Sequence, residues 1–161
     1  ALLVPHAEVV LDRLSGGHEP LEMEYQPGCP VGTLVDHLQA HREEELRTRS
    51  TFTGSHRDEL ALRLHGRPAA GFASEGQQRS VTLALKIAQA RALEQAKGEP
   101  PLLLIDDVFG ELDPVRRRVL LSSFPPGAQR ILTTTHLDWA GELGAETDVW
   151  EVQQAKAALK L

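Results

Sequence analysis

The sequence holds a single cysteine, Cys29, so no disulfide can form within the chain. That scarcity fits a reducing compartment, and the expectation is a cytoplasmic protein. Aromatic residues make up only 4% of the chain, too few for a platform on which unpaired bases stack. No apolar run approaches the roughly 20 residues of a membrane-spanning helix, so no membrane partner is expected. Basic charge is not in excess: 17 Lys and Arg face 23 Asp and Glu, for a net charge of −6. The usual electrostatic footprint of a nucleic-acid-binding domain is therefore missing from the total. The first residues, Ala1-Leu2-Leu3-Val4, include no initiator Met and no targeting pattern.

Apolar residues account for 41% of the 161 positions, enough for a core in one domain, or in one domain and a small lobe. Basic residues gather locally at Arg42, Arg47 and Arg49, and again at Arg116-Arg117-Arg118. The first group is interleaved with Glu43, Glu44 and Glu45, which suits ion pairing along one helix. Both groups read first as solvated helix faces, with DNA contact as the second reading, and DNA-contacting residues stay unassigned.

Residues 1–50 are expected to form a lobe of their own. Val9 to Leu14 fits a helix end stopped by Ser15-Gly16-Gly17. Leu21 to Tyr25 alternates apolar and charged residues as a half-buried strand does. Val31 to Arg49 is amphipathic, with Val31, Leu34, Val35, Leu38 and Leu46 on one stripe. His37 and His41, spaced i and i+4, could share a metal, but no third ligand is evident and a solvated face is the simpler reading.

Residues 51–152 change pattern. Leu60, Leu62 and Leu64 alternate as a strand turned by Gly66-Arg67, and a helix is expected from about Ser80 to Lys97, stopped by Gly98. Asp113-Pro114 is an N-cap followed by proline at the first helical position, opening a helix to about Phe124. Strands are expected at Ile131 and at Asp148 to Val152, with residues 153–161 a short helical or frayed tail.

The most informative stretch is Leu102-Leu103-Leu104-Ile105-Asp106-Asp107-Val108-Phe109-Gly110-Glu111-Leu112-Asp113. Its apolar run suits a strand buried on both faces of a parallel sheet. Two carboxylates then close the strand at its carboxyl end, where open α/β sheets place ligands. Neighbouring side chains on a strand diverge, so Asp106 and Asp107 would divide the work. One could hold Mg²⁺, and the other could face a water attacking a phosphate. A strand-end cap or salt bridge is the plainer role for Asp106.

This stretch resembles a Walker B strand. Ala73-Ser74-Glu75-Gly76-Gln77-Gln78-Arg79 resembles the signature motif of ABC-type ATPases, and Gly110-Glu111-Leu112-Asp113 their D-loop. Ile131-Leu132-Thr133-Thr134-Thr135-His136 resembles the strand that delivers their switch histidine. Gly54-Ser55-His56-Arg57-Asp58, Gly76-Gln77-Gln78-Arg79 and the Asp106-Asp107 pair narrow the resemblance to the RecF family of bacterial recombination mediators. Ser55 departs from that pattern, standing where a proline is common. The resemblance covers roughly residues 50–150.

The resemblance implies an α/β fold: the C-terminal half of an ABC-type ATPase head, with a parallel sheet and flanking helices, plus part of a helical arm lobe. It implies ATP and Mg²⁺ as cofactors, with Asp106 on the metal and Asp107 and His136 as catalytic residues. Ser74, Gly76 and Gln77 would meet ATP in trans, and Glu111 and Asp113 would make the dimer contact. His56-Arg57-Asp58 would form a polar structural cluster, with a nucleotide or partner role as the alternative. Implied partners are DNA at gaps and single-/double-strand junctions, a second copy in an ATP-dependent homodimer, and recombination mediator proteins that help load recombinase. No Gly-x-x-x-x-Gly-Lys-Ser/Thr occurs in the chain, so hydrolysis by these residues alone is not implied, whereas a longer polypeptide carrying that loop would be an ATP hydrolase. Two other functions stay open. A transporter ATPase subunit is disfavoured by the Gln-Gln-Arg signature and the Asp-Asp pair, and a non-enzymatic partner-binding module would need no nucleotide.

Overall fold

A computed structural model describes residues 3–17, 19–30, 32–144, 146–154 and 156–160. Val31, expected on the apolar stripe, lies outside them. The fold is α/β, and its contacts gather into two units, residues 1–88 and 89–161.

In the first unit, helix α1 (Leu3–Ser15) buries Ala7, Val10, Leu11 and Leu14. It stops where Gly16 and Gly17 take positive φ and the Gly17 N–H returns to the Asp12 carbonyl at 2.7 Å. Strands β1 (Leu21–Gln26), β2 (Glu59–Leu64) and β3 (Arg67–Pro68) form an antiparallel sheet in that order. Leu21 pairs with Leu64, and both are buried. His65 and Gly66 both have positive φ, the signature of a two-residue hairpin loop matched to strand twist. This sheet joins residues on either side of position 50. Helix α2 (Leu34–Thr48) lies between β1 and β2 in sequence and buries no side chain. Its stripe residues Leu34, Val35, Leu38 and Leu46 are exposed. On it the His37 and His41 rings stack at 5.9 Å. Helix α3 (Ala69–Phe72) is one short turn. Helix α4 (Glu75–Lys97) crosses from the first unit into the second and buries Ser80, Val81, Ala84, Ile87, Ala88 and Ala90. Gly98 ends it with φ 79° and an N–H to the Glu94 carbonyl at 2.8 Å.

In the second unit, β4 (Leu103–Asp106) and β5 (Arg130–Thr133) are parallel, with Asp106 opposite Thr133. Helix α5 (Pro114–Ser123) connects them in sequence, and the Arg91 guanidinium donates to the Ser123 carbonyl at its end at 2.9 Å. Phe109, Leu112, Leu120, Phe124 and Trp139 are buried. Strands β6 (Val149–Gln153) and β7 (Lys156–Lys160) form a separate antiparallel hairpin.

Three expectations need correction. The tail at 153–161 is neither helical nor frayed over 156–160, because β7 pairs with β6 from Lys156 to Lys160. The alanines there have weak strand preference, but pairing with the Val149-Trp150-Glu151-Val152 strand overrides it. The signature helix begins at Glu75 rather than near Ser80, for a reason given with the site. Strand β4 is not buried on both faces: Leu104 is 73% exposed and its partner Ile131 is 51% exposed. Among the described residues β4 also has only one neighbouring strand, β5.

The His56-Arg57-Asp58 segment forms a polar cluster in the first unit. The Arg57 guanidinium donates twice to the Thr51 carbonyl, at 2.8 and 3.1 Å, and a His56 ring nitrogen meets the same oxygen at 3.2 Å. Asp58 accepts from the Gly28 N–H at 2.8 Å and from the Tyr25 hydroxyl at 2.5 Å. Gly28 has no substitute here, because a Cβ would fall 2.5 Å from that of Arg57. The Gly28 N–H foremost, then the Tyr25 hydroxyl, holds the Asp58 carboxyl below its ordinary range. The same bond to Asp58, with desolvation second, raises the Tyr25 phenol. A lowered carboxyl contributes stability above its unfolded value, about pH 4, and loses it as pH falls through the lower folded value. A raised phenol acts on the other side, contributing fully below about pH 10 and losing it above. Asp58→Asn should therefore melt below wild type at pH 7, and the gap should close below about pH 4. Thermal melts between pH 3 and 8 test this, and a gap constant across that range would contradict it.

Candidate functional site

The carboxyl ends of β4 and β5 lie side by side because the strands run parallel in register. The Thr133 hydroxyl donates to Asp106 Oδ1 in a very short contact. The next residue takes an unusual backbone: Asp107 has φ 47°, in the left-handed region that few residues besides glycine enter without cost. Its N–H is held by the Thr133 carbonyl at 3.1 Å and the Thr133 hydroxyl at 3.2 Å. Thr133 thus fixes both acids, one through its carboxylate and the other through its backbone. The left-handed turn sends the Asp107 carboxylate toward Gly110, where a Cβ would lie 3.6 Å from Oδ1. Both acids are exposed. The Asp106 carboxylate thus meets Thr133, while that of Asp107 lies beside Gly110.

His136 follows three residues after Thr133 and is exposed. Its Nδ1 sits 2.9 Å from the Thr135 hydroxyl. The Thr134 hydroxyl donates to the His136 carbonyl at 3.0 Å and accepts its N–H at 3.2 Å. The two threonines therefore set the ring's backbone and leave its other nitrogen open to a ligand. Glu111 closes a short 3-10 turn, Phe109–Glu111, and is exposed. Asp113 caps α5, its Oδ1 accepting from the N–H groups of Val115 and Arg116 at 2.9 Å each. That carboxylate also meets Arg116 at 3.5 Å.

Ser74, Gly76 and Gln77 belong to the first unit. Ser74 and Gln77 form a reciprocal capping box: the Ser74 N–H donates to Gln77 Oε1 at 2.8 Å, and the Gln77 N–H to Ser74 Oγ at 3.3 Å. This box starts α4 at Glu75 and puts Gly76 inside the first helical turn. First-turn N–H groups lack partners within the helix, so the segment still suits an anion. Ser-x-x-Gln before an apolar stripe was the signal that marks this start in the sequence.

The structure adds residues that sequence reasoning missed. Thr133 had a signal, since it ends the strand beside the acids. Arg117 belongs to the run read as a solvated face, yet it is only 9% exposed. Helical spacing turns it inward with Leu120, and it pairs with Glu142 at 3.3 Å. Tyr25 carried no signal, because its partner Asp58 is distant in sequence.

The donor set at the strand ends is hard oxygen: two carboxylates and a hydroxyl. Among the described residues there is no group of three or more His, Cys, Asp or Glu able to hold a metal without help. Mg²⁺ suits such a set, since it takes one or two carboxylates and fills its octahedron with water and substrate phosphates. No described helix is long and apolar enough to cross a membrane.

No protein-family model matches the chain. Individual relatives do. The DNA replication and repair protein RecF of Synechococcus sp. (strain CC9605) is 44% identical over 149 residues, which is 86% of this chain and 41% of that protein. The protein of the same name from Heliobacterium modesticaldum (strain ATCC 51547 / Ice1) is 40% identical over 146 residues, 85% of this chain and 39% of its own length. Among solved structures, the recombination mediator protein RecF with ATP, in the RecFOR pathway, matches at a TM-score of 0.74 and 25% identity, covering 99% of this chain and 43% of that one. The chain thus spans about two fifths of the relatives it matches. In sequence and in fold, the chain is similar to a part of the RecF proteins of DNA replication and repair.

Proposed function

We propose that this chain supplies the signature, Walker B, D-loop and switch elements of an ATP-hydrolysing repair protein of the RecF type. One observation carries the reading: Asp106 ends a parallel strand and Asp107 follows it, one threonine bonds to both, and the Asp106 carboxylate meets Thr133 while that of Asp107 lies beside Gly110. That arrangement supports a division between holding a metal and orienting a water. The likeness to a RecF–ATP structure supports ATP as the nucleotide, and the relatives' names support a role in DNA replication and repair.

The chemistry follows from the placement of donors. Asp106, oriented by Thr133, would take Mg²⁺, which when bound neutralises charge on the β- and γ-phosphate oxygens. Asp107 presents a carboxylate on the other side, able to accept a proton-side contact from a water and aim its lone pair at the γ-phosphorus. Aspartate is shorter than glutamate, so that approach is longer and turnover slow. His136 can donate to a γ-phosphate oxygen from its free ring nitrogen. These 161 residues hold no P-loop, so in this reading it would come from another part of a longer polypeptide. Ser74, Gly76 and Gln77 meet the nucleotide of a second copy in trans, so ATP joins two copies and hydrolysis releases them. Glu111 and Asp113 lie at that junction. The joined pair acts on DNA at gaps and junctions, with mediator proteins, to help load recombinase. A transporter subunit would share the acid pair's chemistry, but the relatives' names favour DNA.

In the full-length protein, Asp107→Asn should cut hydrolysis by about 10²–10⁴-fold, the usual contribution of a positioned acid or base. ATP-induced dimers should persist, because Asp106 is intact. Turnover assays paired with sizing chromatography decide it, and a variant that stays monomeric with ATP would remove Asp107 from the catalytic role.

Ser74→Asp keeps an N-cap acceptor, so α4 should still start at the same place. It also sets a carboxylate where a phosphate oxygen would arrive. Calorimetry should find ATP affinity of the monomer unchanged, and light scattering should find the ATP-dependent dimer lost. Weakened monomer affinity would put Ser74 in the primary pocket. Undiminished dimerisation would show that this helix start is not the trans contact.

A further inference from the structure

Arg117 is a charged group buried among the apolar residues of the second unit, and its contacts reach the segments that leave the acid pair and the histidine. Its Nη2 donates to the Leu112 carbonyl at 3.1 Å, the last link of the D-loop-like segment before Asp113. Its Nη1 reaches Glu142 Oε1 at 3.3 Å. Its guanidinium lies 5.3 Å from the centroid of the Trp139 ring, within cation–π range. Trp139 is 3% exposed and stacks on Phe109 at 4.9 Å. Phe109 is two residues past Asp107, and Trp139 is three residues past His136. One side chain therefore ties together the segment leaving the acid pair, the segment leaving the histidine, and the backbone entering α5.

We propose that Arg117, acting through Trp139 and Glu142, is a positioning residue that holds His136 in register with the acid pair. This rests on the reading of His136 given above and extends it to a group that touches neither nucleotide nor metal. The physical case is that the His136 loop has few anchors of its own. The hydrogen bonds of His136 are local, to Thr134 and Thr135. The nearest buried anchor downstream is Trp139, and the Phe109 ring and Arg117 both pack on it. The grip is not saturated, since Arg117 Nε and Trp139 Nε1 are buried without an acceptor. A buried cation with an open donor is costly to leave unpaired, so losing Glu142 or the stack should shift the loop rather than leave it in place. Arginine suits the task because one planar fork serves a carbonyl, a carboxylate and an aromatic face together.

The test is a double-mutant cycle on turnover in the full-length protein with ATP, Mg²⁺ and DNA, with ATP affinity measured alongside. Arg117→Gln should lower kcat by about tenfold with ATP affinity unchanged. In a His136→Ala background the same substitution should change kcat by less than about twofold, because neighbours acting through one group are not additive. Glu142→Ala, at the more exposed end of the pair, should repeat the pattern and decides the matter if Arg117→Gln fails to fold. Equal factors in both backgrounds mean a general structural role and overturn the proposal. A His136→Ala variant with normal turnover overturns the role of His136 itself, and this inference with it. That result is separable from the first, since it appears before Arg117 is touched.

Discussion

The contact between Thr133 and the two acids is the constraint on which the rest of the site depends. It exists because β4 and β5 are parallel and in a register that sets Asp106 opposite Thr133. A shift of one residue would turn Thr133 to the other face of the sheet and leave Asp106 without its hydroxyl. The same threonine also receives the Asp107 N–H at both its carbonyl and its hydroxyl. The left-handed backbone at Asp107 is held by these bonds, in a conformation costing of order 1 kcal/mol for a residue with a side chain. The cost is local, and what it produces is an Asp107 carboxylate that lies beside Gly110, at the start of the D-loop-like turn.

Helix termini do comparable work on the other elements. Asp113 spends one carboxylate oxygen on two backbone N–H groups and so fixes where α5 begins. Its second oxygen meets the Arg116 guanidinium. Ser74 and Gln77 spend their side chains on each other, which fixes where α4 begins. An anion approaching that helix would meet a formed N-terminus rather than a loop that must be ordered on binding.

Much of this was legible in the sequence where one residue type has one local use. Gly98 as a helix stop, Asp113-Pro114 as a cap and start, and Leu60-Leu62-Leu64 as a strand all follow from local geometry. The acid pair was legible for the same reason, since two carboxylates after an apolar run have few uses. What was not legible depended on partners far along the chain. Tyr25 and Asp58 meet across a sheet whose register no local pattern states. Lys156 to Lys160 becomes a strand only because β6 is beside it. The inward turn of Arg117 was visible as helical spacing with Leu120, but a run of three arginines reads more readily as surface. The start of α4 was written plainly as Ser-x-x-Gln and was masked by Gly76, which suggests a loop until the cap is recognised.

The central claim is that the two adjacent acids divide the work, one on the metal and one on the water. Manganese(II) in place of Mg²⁺ reports the first half directly, because its electron paramagnetic resonance signal separates free from bound ion. In the ATP complex of the full-length protein, Asp106→Asn should weaken Mn²⁺ binding by about tenfold or more, the scale of one lost 1.4 kcal/mol contact. Asp107→Asn should leave that affinity within about twofold of wild type. Equal losses in the two variants, or a larger loss at Asp107, would contradict the account.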